Sequence, residues 1–376
     1  MTQSKSSFTW RKITESKLFF PFIALALILL FDLIFIPRFF ALTTQEGHLY
    51  GNLVDVLRNG SCVMLLGIGM TLVIATGGVD LSVGAVMAIA ASVAAIMMNP
   101  VIIGVKLPPN LMKFINDPNF TYSPLWAVIL VTLIVATICG LWNGLLVAYG
   151  RIQAMVATLI LMIAGRGIAQ LITNGVRIQI FYEPFAFIGN GWIVLPFPLY
   201  LVAFVFVIAW ILTRKTSIGL FIESVGINFR SSYFSGIDEK KIKLLAYTLC
   251  GFCAGIAGLV ASSNIKTSDA NNIGLTLELD TILAVVIGGT LMSGGRFSLL
   301  GGLPTVNQCA AIGWWFAILT RERPQALEEI AVDRFSGFDL DGENTVPELD
   351  NKVDLVAFAV AVEMQARAPA SMPKPL

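Results

Sequence analysis

Long apolar stretches separated by short polar ones recur along most of this chain. At 1.5 Å of rise per residue, a hydrocarbon core of about 30 Å takes roughly 20 apolar residues. Windows of about that length predict helices near 18–36, 54–75, 82–98, 124–149, 154–174, 195–213 and 244–264, with a shorter one at about 280–293. The expected fold class is all-α, a polytopic transmembrane bundle of about 8 helices over residues 18–300 that follows a cytoplasmic N-terminus at 1–17. Leu18–Ile36 comes after a basic lead of Arg11, Lys12 and Lys17, as the core of a signal peptide does. It contains Asp32 and lacks a small-x-small cleavage site, so it reads as a retained first helix. After Gly301 the pattern collapses: Leu303–Leu319 is interrupted by Pro304, Asn307 and Gln308, and Val353–Val362 is too short to cross. From Arg321 to Leu376, 17 of 56 residues are charged, so 301–376 is expected to be a divergent polar tail, soluble or disordered.

Composition agrees with the pattern. Charged residues make up 13% of the chain, against about 25% in soluble domains. The near-neutral balance of 25 basic and 24 acidic residues averages two unlike parts: residues 1–320 hold 19 Lys/Arg and 13 Asp/Glu, and the remainder holds 6 and 11. No basic stripe suits a nucleic acid. With the N-terminus inside, 12 Lys and Arg fall on cytoplasmic segments, among them Arg151, Arg214, Lys215, Arg230, Lys240, Lys241 and Lys243. Only Arg38, Lys106, Lys113, Arg177 and Lys266 fall outside, as the positive-inside rule requires.

Several chemistries drop out. The single histidine, His48, sits in a polar loop, so no His-based triad or metal cluster can form in the membrane. No paired carboxylates or nucleophile–base pair can be drawn from the membrane residues, and no metal or cofactor is expected. Five scattered cysteines give no disulfide framework. Cys250 and Cys253 form a C-x-x-C inside a Gly/Ala-rich apolar segment, which favours packing over redox work. No G-x-x-x-x-G-K-[ST] phosphate loop occurs, so ATP hydrolysis would have to come from a separate subunit.

Three constellations remain. In residues 67–84 two apolar spans meet at a Gly-rich break carrying Thr76, Gly77, Gly78, Asp80 and Ser82. Non-helical backbone at membrane depth is tolerated only where protein covers it or where it lines a wet cavity. Asp80 is therefore either pathway-lining or a helix-capping residue, and a broken helix can make it both. Second come the intramembrane polar residues Asp32, Arg58, Asn143, Arg166 and Gln170, each a candidate for function because it is costly to bury. Asp32 and Arg58 lie near helix ends and are placed to snorkel. Arg166 is mid-span, either bonding a carbonyl or ion partner or facing a conduction path with Gln170. The third is the loop 214–243, where Leu220, Phe221, Val225 and Phe229 recur near helical spacing. A short surface helix with one apolar face results, either a docking element for a soluble partner or a plain interfacial anchor. G-x-x-x-G pairs at Gly140–Gly144 and Gly251–Gly255 suit close helix packing.

Residues 69–85, 140–144, 156–162, 165–167, 223–228, 278–289 and 294–296 together resemble the permease subunits of bacterial ABC importers for monosaccharides, the ribose, xylose and galactose group, and in particular the galactofuranose type. The resemblance covers about residues 15–300 in order. It implies a multi-pass inner-membrane subunit paired with a second permease subunit, a cytoplasmic ATP-binding subunit and a periplasmic sugar-binding protein. It further implies a translocation pathway near Thr76, Gly77, Gly78, Asp80 and Ser82, to which Asn143, Arg166 and Gln170 are added. An ATPase-coupling loop would be carried by Gly219, Glu223, Gly226, Asn228 and Arg230. The alternatives are an ion-coupled secondary transporter using Asp80 and Arg166 as a charge relay, or a truncated, non-functional remnant.

Members of that family continue past Gly294–Arg296 with two further apolar helices, where this chain has its polar tail. A reading-frame shift near codon 301 is the expected origin. Translating the underlying DNA in the other two frames checks it: one of them should encode two spans, about 40 apolar residues.

Overall fold

A computed structural model of the chain describes residues 43–45, 48–99, 123–297 and 299. The predicted helix at 18–36 and the tail from 301 lie outside the described residues. A hairpin of β1 (Thr43–Gln45) and β2 (His48–Tyr50) leads into α1 (Asn52–Ala75), followed by α2 (Val83–Met98), α3 (Leu125–Ala148) and α4 (Ala154–Thr173). A two-residue strand β3 (Ile178–Gln179) precedes α5 (Glu183–Asn190) and α6 (Phe197–Arg214). Then come α7 (Ser217–Ile227), α8 (Phe229–Phe234), α9 (Glu239–Asn264), β4 (Thr267–Ser268) and α10 (Leu277–Ile287). β3 and β4 pair antiparallel.

Among the described residues, five helices, α1, α3, α4, α6 and α9, are long and apolar enough to cross a membrane. The other two predicted spans are shorter, and burial explains why. Of the sixteen residues of α2, thirteen are buried among α3, α4 and α9, so its length need not match a bilayer. α10 stops at Ile287, earlier than its apolar run suggests, because Gly288 and Gly289 follow and Gly289 takes a positive φ of 92°. α9 begins at Glu239, five residues before the predicted start: Asp238 accepts a hydrogen bond from the Lys240 N–H and turns the charged run into the first helical turn.

α9 is the central post, packed against α1, α2, α3 and α5. Its closest neighbour is α3, and glycines permit the approach. A Cβ on Gly140 would lie 2.9 Å from the Gly251 Cα, and one on Gly251 would lie 2.7 Å from the Gly140 Cα. Cys250 and Cys253 are free, buried thiols on the side of α9 that faces α1, where a Cβ on Gly69 would meet both within 3.3 Å, so the C-x-x-C is packed in the core. The outward rows are apolar instead of charged: Leu130, Ile134, Ile138 and Leu141 stand exposed along α3, with Trp126 and Tyr149 at its two ends. That surface is suited to lipid with aromatic residues at its borders.

The two ends of the bundle differ in charge. One end, formed by the α3–α4 turn and the α6–α9 connection, carries Arg151, Arg214, Lys215, Arg230, Lys240, Lys241 and Lys243. The other carries Arg58, Arg177 and Lys266. They are termed the basic end and the opposite end below.

The Gly140/Gly251 contact makes a direct prediction. Gly140→Val and Gly251→Val should each cost about 1–3 kcal/mol by overpacking. Gly167→Val, where an added Cβ meets nothing within 4 Å, should be near neutral. Denaturant titration in mixed micelles ranks the three.

Candidate functional site

The helical regime is interrupted in two places that matter. The first break, Thr76–Ser82, lies between α1 and α2. Asp80 is 1% exposed, and its Oδ1 accepts from the Ser82 N–H at 2.9 Å and the Ser82 hydroxyl at 2.7 Å. Asn143 of α3 reaches in, its Nδ2 donating to the Ser82 Oγ at 2.7 Å and to Asp80 at 3.3 Å. From α9 the Tyr247 hydroxyl donates to the Val79 carbonyl at 3.3 Å, and from α4 the Thr158 hydroxyl reaches the same oxygen at 3.5 Å. Side chains of three helices thus satisfy polar groups that lipid would leave bare. Asp80 folds the break into a tight turn just before α2 and is the hub joining Ser82 and Asn143. All three of these residues are sealed from the chain's own surface.

Beside this hub, at the basic end, a polar cavity of about 550 Å³ is bordered by Thr76, Gly77, Gly78, Arg151, Lys243 and Tyr247. Glu239, also at its wall, lies 3.7 Å from Lys243.

The second break runs from Ile265 to Thr276, between α9 and α10, and Arg166 holds it. Its Nη1 donates to the backbone carbonyls of Ile273 at 2.5 Å and Ala270 at 3.2 Å. The carbonyl-bonding reading of Arg166 is the one the geometry supports. Gln170, one turn on, donates to the Asn271 Oδ1 at 2.6 Å. Arg166 and Gln170 are therefore brought together with this loop, and the Asp80 cluster forms a separate network. Asp269 organises the loop from within, accepting from the Asn271 N–H at 3.0 Å and the Asn272 Nδ2 at 2.7 Å while pairing with Arg177 at 2.6 Å. Burial alone would push the Asp269 carboxyl up, but these hydrogen bonds and the guanidinium outweigh it and hold the group below the ordinary carboxylate range. Arg58 reaches the ends of two other helices: its Nη2 donates to both Asn190 and Asn264, at 2.6 and 2.5 Å, tying α1 to α5 and α9. Spacing offered no signal for that, because the partners lie 132 and 206 positions away.

The loop 214–243 forms two helices. Thr216 caps α7, and Asn228 caps α8 by accepting from the N–H groups of Arg230 and Ser231. The inward row of α7 is Gly219, Ile222 and Val225, so of the predicted apolar face only Val225 is buried. Leu220, Ile227, Phe229, Tyr233 and Phe234 are exposed at the basic end, with Glu223 partly covered. Gly226 touches the first break directly. A Cβ there would fall 2.0 Å from the Ala75 carbonyl oxygen and 2.3 Å from the Gly295 nitrogen, and that N–H itself donates to Ala75 at 2.9 Å.

A family model described as "branched-chain amino acid transport system / permease component" matches residues 52–306. The chain belongs to this permease family. The permease is 48% identical over 280 residues to the galactofuranose transporter permease protein YtfT of Escherichia coli (strain K12), covering 74% of this chain and 76% of that one. It is 37% identical to the fructose import permease protein FruF of Bifidobacterium longum (strain NCC 2705), over 77% of this chain and 78% of the relative. Against the ribose import permease protein RbsC of Haemophilus influenzae the identity is 33%, over 75% and 80%. No solved structure matches the permease.

Two measurements test this geometry. Asp80→Ala strands the Ser82 and Asn143 donors and should lower stability by about 1–3 kcal/mol, whereas Asn143→Leu, removing one interhelical donor, should cost about 1 kcal/mol. Chemical denaturation in micelles compares them. Because the Asp269 pKa is depressed on folding, its contribution is complete above the unfolded value of about 3.9 and fades only as pH falls through the lower folded one. Hydrogen-exchange protection factors across residues 265–276 should therefore hold down to about pH 4 and fall below it.

Proposed function

We propose that this multi-pass permease is the membrane-spanning subunit of an ATP-driven importer for a monosaccharide, and that a sugar of the galactofuranose type is the cargo. The observation that carries the proposal is the contact of α7 with the first break: an exposed apolar segment at the basic end is seated, without any intervening side chain, on the backbone where α1 stops. The relatives named as galactofuranose, fructose and ribose permeases support the sugar class. The chain has no phosphate loop of its own, so the exposed Leu220, Ile227 and Phe229 suit a separate ATP-binding subunit, with Gly219, Glu223, Gly226, Asn228 and Arg230 forming the coupling segment. A periplasmic sugar-binding protein would deliver the cargo, and a second permease subunit would complete the pathway.

On this reading the basic end and the N-terminus face the cytoplasm. Thr76, Gly77 and Gly78 border the inner part of the pathway. The buried Asp80, Ser82 and Asn143 form the closed layer, and Arg166 and Gln170 set the outer loop. ATP-driven closure of the partner subunits would press on α7, and the displacement would reach the closed layer through the Gly226 contact. No covalent step on the sugar is involved. The ion-coupled alternative gains no support, because Asp80 and Arg166 belong to separate networks and the named relatives are transport permeases.

Proteoliposomes holding the permease with its ATP-binding subunit provide the test. Sugar-loaded binding protein should stimulate ATP hydrolysis, and Leu220→Asp, at an exposed position of α7, should abolish the stimulation while leaving the permease folded. Hydrolysis indifferent to the loaded receptor in the unaltered complex would overturn the importer reading, as would uptake that stops in a proton uncoupler while ATP is maintained.

A further inference from the structure

At the opposite end of the bundle a second cavity, of about 540 Å³, lies between α1, α2, α9 and the second break. Its rim is polar: Asn59 of α1, Asn264 at the end of α9, and Asp269 and Asn272 of the loop, with Arg177 alongside. Its floor is apolar, with Val63, Met87 and Leu277. Met87 lies eleven residues in from Met98, about 16 Å along α2 at the helical rise, so the cavity descends well below the rim. Resting on the importer reading above, we propose that this cavity is the receiving site where a neutral, hydroxyl-rich ring, a monosaccharide, first lodges in the permease.

The chemistry of the wall selects that class. Asn264 keeps its Nδ2 donors while its Oδ1 accepts from Arg58, Asn272 keeps its Oδ1 while its Nδ2 bonds Asp269, and Asn59 brings an amide with both, so the wall presents donors and acceptors together, as a polyol needs. The charged groups at the rim neutralise each other: Arg177 and Asp269 pair at 2.6 Å. A zwitterionic amino acid would need those two charges for itself and would have to break the pair, whereas an uncharged sugar leaves it intact. The apolar floor suits the C–H face of a sugar ring. The volume fits a small ligand accompanied by water. The loop is held from behind by the Arg166 bonds to Ala270 and Ile273, so the rim is pre-set.

The test uses the full chain in lipid nanodiscs and saturation-transfer NMR with D-galactose, D-ribose and D-fructose. Tetrahydropyran, a ring without hydroxyls, is the comparator. Asn59 is exposed on the rim, so Asn59→Trp fills the cavity without disturbing the loop, and Asn59→Ala removes only the amide. At least one sugar should give a signal above tetrahydropyran, reduced about threefold in Asn59→Ala and about tenfold or more in Asn59→Trp. Unchanged thermal melting by circular dichroism shows that both variants are folded. No sugar signal in the unaltered chain, or a signal that survives Asn59→Trp, overturns the proposal. ATP-driven uptake measured alongside separates the two readings. Uptake that persists in Asn59→Trp removes the receiving site and leaves the importer. Sugar binding lost in Asn59→Trp, with no ATP-driven uptake by the unaltered complex, leaves the site and removes the importer.

Discussion

A polypeptide inside a membrane cannot leave N–H and C=O groups without partners, and every functional feature of this permease follows from how that requirement is met where helices stop. At the first break the Asp80 carboxylate accepts from the Ser82 N–H and the Tyr247 hydroxyl donates to the Val79 carbonyl, while Asn143 ties the Asp80 and Ser82 side chains together. At the second, the Arg166 guanidinium donates to two carbonyls. Water could have done the same work only in a permanently open channel. Side chains do it while Asp80, Ser82 and Asn143 stay buried.

The division of labour between these clusters follows from charge. Asp80 is surrounded by neutral donors, so its bonds are short and local and fix the turn just before α2. Arg166 is long and forked, so it can brace a loop from a neighbouring helix. Both residues are ionisable groups at membrane depth, and each is committed to backbone or near-backbone partners. That commitment is why neither is placed to relay charge to the other.

Much of this was legible in the sequence, and the rest was not for definable reasons. Runs of about twenty apolar residues located α1, α3, α4 and α6 to within two residues, because length and hydropathy are the two properties a bilayer measures. The start of α9 was displaced because lysines in a first turn look like loop until Asp238 is seen capping it. The Gly-rich break with Asp80 and Ser82 was visible as punctuation. Its connection to Asn143 was not, since contacts across 61 and 63 positions leave no local trace. In α7 the apolar periodicity was real, and Leu220 and Phe229 of that row stand exposed while Val225 is buried. Small Gly219 faces the bundle and large Leu220 faces out, an inversion that makes sense only with the helix pressed close to its neighbours.

The seating of α7 at Gly226 has a mechanical meaning of its own. Ala75 and Gly295 belong to different strokes of the chain, one ending α1 and the other following α10, yet both rest on the same spot of α7 backbone. Without flexible side chains between them there is no cushion to absorb a push, so the three segments behave as one lever with a single fulcrum. With α7 as the docking segment, a push on its outer face would pass to the end of α1 and to the segment after α10 through backbone alone, with no rotamer free to take up the motion.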